Sequence, residues 1–144
     1  MLDYVIDANI LIGMLISGKA RYKQLVDIFR FVTPVFALKE IDKYKPEILE
    51  KTKMSEEQLL EYAFSIFSKT TVLPRIFLTA TAKRQASTLT AGIDSKDKFY
   101  VAFSIQLDMT LLTNDKRLEK GLRMKGYRKV MLWEEFLKRN ASTI

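Results

Sequence analysis

Asp7 and Asp115 each close a short apolar run, Asp7 after Tyr4-Val5-Ile6 and Asp115 after Leu111-Leu112-Thr113-Asn114. Runs of this kind read as strands, so two carboxylates are expected at strand ends. In an open parallel sheet the crevice beyond the carboxyl ends of the strands is where ligands bind, which makes acids placed there candidates for chemistry rather than for solubility. The chain contains no histidine and no cysteine. A Ser-His-Asp triad, a thiolate nucleophile and a Cys/His zinc site are thereby excluded, leaving carboxylates, a hard cation and its bound water.

Strands and helices must position those acids, and their order along the chain is legible. Val5-Ile6 reads as a buried strand, with Asn9 as cap of a helix over 10–16 that stops at Ser17-Gly18. Tyr22, Leu25, Val26 and Phe29 recur at helical spacing, and Phe31-Val32-Thr33 suits a strand ended by Pro34. A helix over 35–44 carries Glu40, Pro46 permits a restart over 47–51, and Ser55-Glu56-Glu57-Gln58 matches a capping box. Behind that box Leu59, Leu60, Ala63, Phe64 and Phe67 form the expected apolar stripe. Thr70 to Leu73 reads as a third strand before Pro74, followed by a helix over 77–88 broken by Gly92. Ser95 is expected to cap a helix to Leu107, Thr110 to Thr113 to form a fourth strand, and 116–125 a short helix stopped by Gly126. Val130-Met131-Leu132 gives a fifth strand, Trp133 to Arg139 a closing helix, and Asn140 to Ile144 a frayed tail. Alternation of apolar strands with helices predicts a mainly parallel sheet of about five strands covered on both faces, because parallel strands need helical crossovers.

The 144 residues fit one domain spanning 1–144, without repeats or a linker. The absence of cysteine, the lack of a basic leader at Met1-Leu2-Asp3 and the interruption of the longest apolar stretch by Gly13 lead us to expect a soluble, cytoplasmic protein with no membrane partner. A formal charge of +7, from 24 Lys and Arg against 17 Asp and Glu, favours polyanionic partners such as nucleic acid.

Four acids are expected to meet: Asp7 after the first strand, Glu40 on the helix after the second, Asp97 near a helix start, and Asp115 after the fourth strand. Asp7-Ala8-Asn9, Ala37-Leu38-Lys39-Glu40-Ile41, Asp94-Ser95-Lys96-Asp97-Lys98-Phe99 and Thr113-Asn114-Asp115 together resemble the four acidic motifs of PIN-domain nucleases, in the family's order and over nearly the whole chain from Leu2 to Leu137. The resemblance implies a three-layer α/β/α fold and a metal-dependent ribonuclease, in the family that includes VapC-type toxins of toxin-antitoxin pairs. It implies Asp7, Glu40, Asp97 and Asp115 as catalytic metal ligands for Mg²⁺ or Mn²⁺, RNA as substrate, and a small antitoxin protein and a second copy of the chain as candidate partners. Many PIN sequences carry a further acid two positions beyond the last motif, where Arg117 stands here; one ion is therefore expected and a second left open.

Elementary electrostatics leads to the same chemistry. Clustered carboxylates raise one another's pKa unless a cation neutralises them, and Mg²⁺ or Mn²⁺ takes oxygen ligands while keeping waters. Such an ion lowers the pKa of its water and stabilises charge developing on phosphate, so no histidine base is required. Asn9, Asp94 and Thr113 are auxiliary candidates that could orient a carboxylate or a water. Lys39, Lys96, Lys98, Lys116 and Arg117 flank the acids and are candidates for contact with RNA phosphates. Trp133, Phe99 and Phe103 are read as core. Three other readings compete. A PIN domain with weak turnover could serve as an RNA- or partner-binding module. A haloacid-dehalogenase-like phosphatase would need an acid at position 9, which is asparagine. A nicotinamide dehydrogenase would need a G-x-G-x-x-G turn that the five scattered glycines do not supply.

Overall fold

The computed structural model of the chain describes residues 3–93 and 95–142. Among these, five strands form one sheet: β1 (Asp3–Ile6), β2 (Arg30–Pro34), β3 (Thr71–Leu73), β4 (Thr110–Thr113) and β5 (Val130–Leu132). Their order across the sheet is β3-β2-β1-β4-β5, and every neighbouring pair is parallel. The chain therefore builds outward from β1 through β2 to β3, then crosses back to lay β4 on the other side of β1. That reversal puts a topological switch point between β1 and β4, the place where an open parallel sheet leaves a crevice at its carboxyl rim.

The period of two along each strand separates two apolar cores. Ile6, Phe31 and Leu112 face one, packed with residues of α1 (Ala8–Ser17), α2 (Ala20–Ile28), α5 (Glu56–Phe67) and α9 (Trp133–Arg139). There Phe136 stacks on Trp133 and meets Tyr4, Phe29 and Phe31 edge-on. Val5, Leu111 and Val130 face the other core, with Val101 and Phe103 of α7 (Lys98–Leu107), Ala86 of α6 (Ala80–Thr90) and Leu118 and Leu122 of α8 (Lys116–Met124). Helices on both faces of a parallel sheet make the three-layer α/β/α sandwich that the alternating pattern predicts.

Several expected boundaries move, each for a local reason. The first helix starts at Ala8, not after Asn9: Asp7 is its cap, Oδ1 accepting from the Ile10 N–H at 3.0 Å, so strand passes to helix without a loop. Between α3 (Val35–Lys43) and α5, the short α4 (Lys45–Lys51) begins two residues before the expected restart, with Pro46 in its first turn. Beyond Pro74 the chain makes a 3-10 turn over Arg75–Phe77, and α6 begins only at Ala80, capped by Thr79. A second 3-10 turn over Ser95–Asp97 precedes α7, which starts at Lys98 rather than directly after Ser95. Asp94 and the tail's last two residues lie outside the described residues.

The capping box forms in full, Ser55 Oγ accepting from the Gln58 N–H and Gln58 Oε1 from the Ser55 N–H. The stripe behind it is rotated from expectation. Tyr62 and Ile66 are buried with Leu59, Ala63 and Phe67 at their flanks, whereas Leu60 and Phe64 are 72% and 74% exposed. Positions 59, 62, 63, 66 and 67 follow the helical period along the side that meets α1 and α2, and 60 and 64 fall beside it. Phe64→Ser should therefore change unfolding stability by no more than about 0.5 kcal/mol, while Ser55→Ala costs about 1 kcal/mol. Urea unfolding measures both, and a loss near 3 kcal/mol at Phe64, typical of a buried aromatic, would contradict the rotated stripe.

Candidate active site

Strand β1 ends at Ile6 and strand β4 at Thr113, side by side at the switch point, so Asp7 and Asp115 leave the sheet as neighbours. A hydroxyl joins them. Thr113 Oγ1 donates to Asp7 Oδ2 at 3.2 Å and accepts from the Asp115 N–H at 3.0 Å. Thr113 is fully buried, and Thr33 at the end of β2 pins the adjoining edge by donating to the Ile6 carbonyl at 2.8 Å. Both strand-end acids also cap the helices that follow them, since Asp115 Oδ1 accepts from the Leu118 N–H at 3.0 Å. Capping and a role at the rim are thus compatible in one side chain.

Glu40, on α3, and Asp97, at the end of the 3-10 turn before α7, complete the group. All four acids line one polar cavity of about 480 Å³. Glu40, on α3, forms no ion pair with Lys39, Lys43 or any other cation among the described residues. Asp97 stands at the cap position of α7 but makes no side-chain cap hydrogen bond. Glu40 is therefore not spent on the surface pairing, nor Asp97 on the helix capping, that would otherwise account for it. Asn9 lines the cavity from the first turn of α1, and Thr113 acts behind it through Asp7.

The basic candidates divide. Lys96 lines the cavity; Lys39, Lys98, Lys116 and Arg117 do not. Arg117 turns its guanidinium to the Gly92 carbonyl at 3.5 Å, and Lys98 lies over the ring of Phe99. Three lining residues went unnoticed in the sequence: Lys43, Tyr44 and Tyr100. Lys43 and Tyr44 lie three and four residues after Glu40, and Tyr100 three after Asp97, so helical spacing from the acids is the signal that would have found them. Tyr100 is buried and its hydroxyl oxygen accepts from the Ala8 N–H at 3.2 Å. Its own proton has no acceptor among the described residues, and burial followed by the nearby acids pushes its pKa up, so it stays a donor facing the cavity.

Asp7 carries the electrostatic tension of the site. Burial, reinforced by the Glu40 charge, raises its pKa to about 6 against the hydrogen bonds from Ile10, Thr113 and Asn9. A buried carboxylate left in that state is best relieved by a cation, and the donors present are oxygens, which suit Mg²⁺ or Mn²⁺. Among the described residues no three acids stand close enough to clasp an ion alone. The residues fit an ion that keeps water in its shell and takes one or two carboxylates directly, as Mg²⁺ does by preference.

A raised Asp7 pKa favours protons in the folded state. Its stabilising contribution is full below the unfolded value of 3.8 and is lost as pH rises through about 6. In metal-free protein, wild type should lose on the order of 3 kcal/mol relative to Asp7→Asn between about pH 4 and pH 7. Urea unfolding across that range checks it, and identical pH dependence in the two proteins would contradict the buried, strained carboxylate.

Comparisons with known proteins give the family and the fold. The PIN domain family model matches residues 5–134. No curated protein sequence matches the chain. A crystal structure of PAE2754 from Pyrobaculum aerophilum is similar with a TM-score of 0.67 at 15% identity, covering 98% of this chain and 96% of that one. VapBC2 from Rickettsia felis, crystallised with a DNA fragment from their promoter, is similar with a TM-score of 0.56 at 17% identity, covering 91% of this chain and 97% of that one. At such identities the two structures speak for the fold, and the family model for descent: this chain belongs to the PIN-domain family, whose members are generally nucleases.

Proposed function

We propose that this PIN domain is an endoribonuclease dependent on Mg²⁺ or Mn²⁺, acting as the toxin of a toxin-antitoxin pair. The observation that carries the reading is the convergence of Asp7, Glu40, Asp97 and Asp115 on one cavity at the switch point of the sheet. In this reading Asp7 and the three other carboxylates hold the ion, directly or through its waters. The ion would supply a water of lowered pKa and charge stabilisation at the scissile phosphate. The chain's own groups do the rest. Thr113 and the α1 N-terminus fix the Asp7 carboxylate, the protonated Tyr100 hydroxyl offers a donor to an oxygen in the cavity, and Lys43 and Lys96 at its wall offset the repulsion between carboxylates and a phosphate backbone. With Arg117 at the position where a further acid would stand, the cavity gains no fifth carboxylate, which favours one ion over two. The toxin assignment rests on resemblance to VapC-type proteins and on the structural likeness to the Rickettsia felis VapBC2 complex.

A binding module with weak turnover is the second reading, favoured by the loose spacing of the acids. Digestion of a mixed RNA pool separates the two. We expect cleavage with Mn²⁺ or Mg²⁺, none in excess EDTA, and a loss of roughly a hundredfold or more in Asp7→Asn and Asp97→Asn. Binding without cleavage by purified wild type at any divalent ion would select the module instead. Expression of the chain alone is expected to arrest bacterial growth, and Asp7→Asn to lift the arrest; growth unaffected by the active wild-type enzyme would remove the toxin assignment.

A further inference from the structure

Beside the acid cavity a row of aromatic rings leads along the carboxyl rim. Phe36, one helical turn before Glu40 on α3, meets Tyr100 edge-on at 5.0 Å and Phe99 at 5.7 Å between ring centroids. Sequence reading assigned Phe99 to the core, yet it is only partly buried and supports two cations. The Arg75 guanidinium lies 4.8 Å from its ring centroid and the Lys98 ammonium 5.2 Å. Arg75 opens the 3-10 turn that follows β3, so it stands on the same rim of the sheet as the four acids.

The turn is held in place. Its Phe77 carbonyl accepts from the Gln106 side-chain amide, the Gln106 oxygen accepts from the Thr79 N–H at 2.7 Å, and Gln106 belongs to α7, the helix that also carries Phe99. Arg75 and its aromatic support are thus fixed to one element. Among the described residues neither Arg75 nor Lys98 has an acidic partner, and the Arg75 side chain donates to no protein acceptor. A guanidinium held over a ring without a hydrogen bond to a protein oxygen keeps N–H donors for a planar, bidentate anion such as phosphate. Next to it Ile76 is 85% exposed, an apolar edge suited to the face of an unstacked base.

We infer that Arg75 and Lys98, aligned by Phe99, form a backbone-phosphate subsite for single-stranded RNA, set beside the acid cavity and holding the strand whose scissile phosphate lies over the carboxylates. The inference rests on the nuclease reading of that cavity and adds where the strand runs: from the cavity past Phe36 toward the β3 edge. Phe99 is a positioning residue here, and Arg75 makes the contact. Pre-alignment of the cation on a ring reduces the side-chain entropy lost when phosphate binds.

The test is fluorescence anisotropy of a labelled single-stranded RNA oligonucleotide with the full chain in EDTA, where no cleavage can occur, across a series of NaCl concentrations. Arg128→Ala is the control, because it removes the same charge from an exposed residue before β5, at the opposite rim. Arg75→Ala and Arg75→Gln should bind roughly three- to tenfold more weakly at low salt and flatten the slope of log affinity against log salt by about 0.7, the share of one phosphate contact on a single strand. Phe99→Leu should give part of the same flattening with Arg75 intact. Arg128→Ala should leave the slope unchanged. An Arg75→Gln protein with the wild-type melting temperature and the wild-type slope, or one no different from Arg128→Ala, overturns the subsite while leaving the nuclease reading standing. A wild type that neither binds RNA in EDTA nor cuts it with Mn²⁺ overturns both.

Discussion

The Thr113 hydroxyl, shared between Asp7 and the backbone of Asp115, is the contact on which the site depends. It joins the ends of β1 and β4 across the gap that the strand order opens, and it holds a carboxylate where the carboxylate is least comfortable as an ion. Asp7 cannot turn outward to water, since one oxygen is committed to the Ile10 N–H and the other to Thr113, leaving 7% of the residue exposed. Fold and site are thus opposed at one residue: the same hydrogen bonds that start α1 and fasten the switch point also keep an acid beside Glu40 in a poorly solvated place. A protein tolerates that arrangement most readily if a cation completes it.

Two scales of charge act on a substrate. At long range the surplus of +7 attracts a polyanion and raises its encounter rate, an effect that salt screens over about 8 Å at physiological ionic strength. At the rim the sign reverses, because four carboxylates face the cavity with only Lys43 and Lys96 among the lining cations. A phosphate that has been drawn in is repelled at the last step unless the acids are neutralised. In the proposed reading the cation serves binding at the reacting position as well as reactivity. Basic groups just outside the cavity, where the repulsion has decayed, are the natural place to grip the rest of the strand.

What the sequence made legible follows from how local the signals are. The Ser55 capping box is written within four residues, and both of its hydrogen bonds form. The parallel sheet followed from strands alternating with helices, and the acids could be placed because strand ends and helix starts locate them without tertiary information. Asn9 was misplaced as a cap because Asp7, two residues earlier, serves equally well, and only the direct passage from strand to helix decides between them. Leu60 and Phe64 were misread because the helix pattern there offers two adjacent apolar faces, and the packing of α5 on α1 and α2 chooses one. Tyr100 and Phe99 were passed over because aromatic residues on an apolar helix are usually core. Their roles come from facing partners on Ala8 and Arg75, far away in sequence, that no local pattern contains.

The central claim is that four carboxylates delivered by separate elements act as one cation site. Isothermal titration of Mn²⁺ into metal-free wild type, set beside the four single variants Asp7→Asn, Glu40→Gln, Asp97→Asn and Asp115→Asn, tests it most directly. The account predicts one bound ion per chain, binding abolished by Asp7→Asn and weakened by each of the other three. Wild-type affinity and stoichiometry retained in all four variants, or no Mn²⁺ binding by the folded wild type, would contradict it.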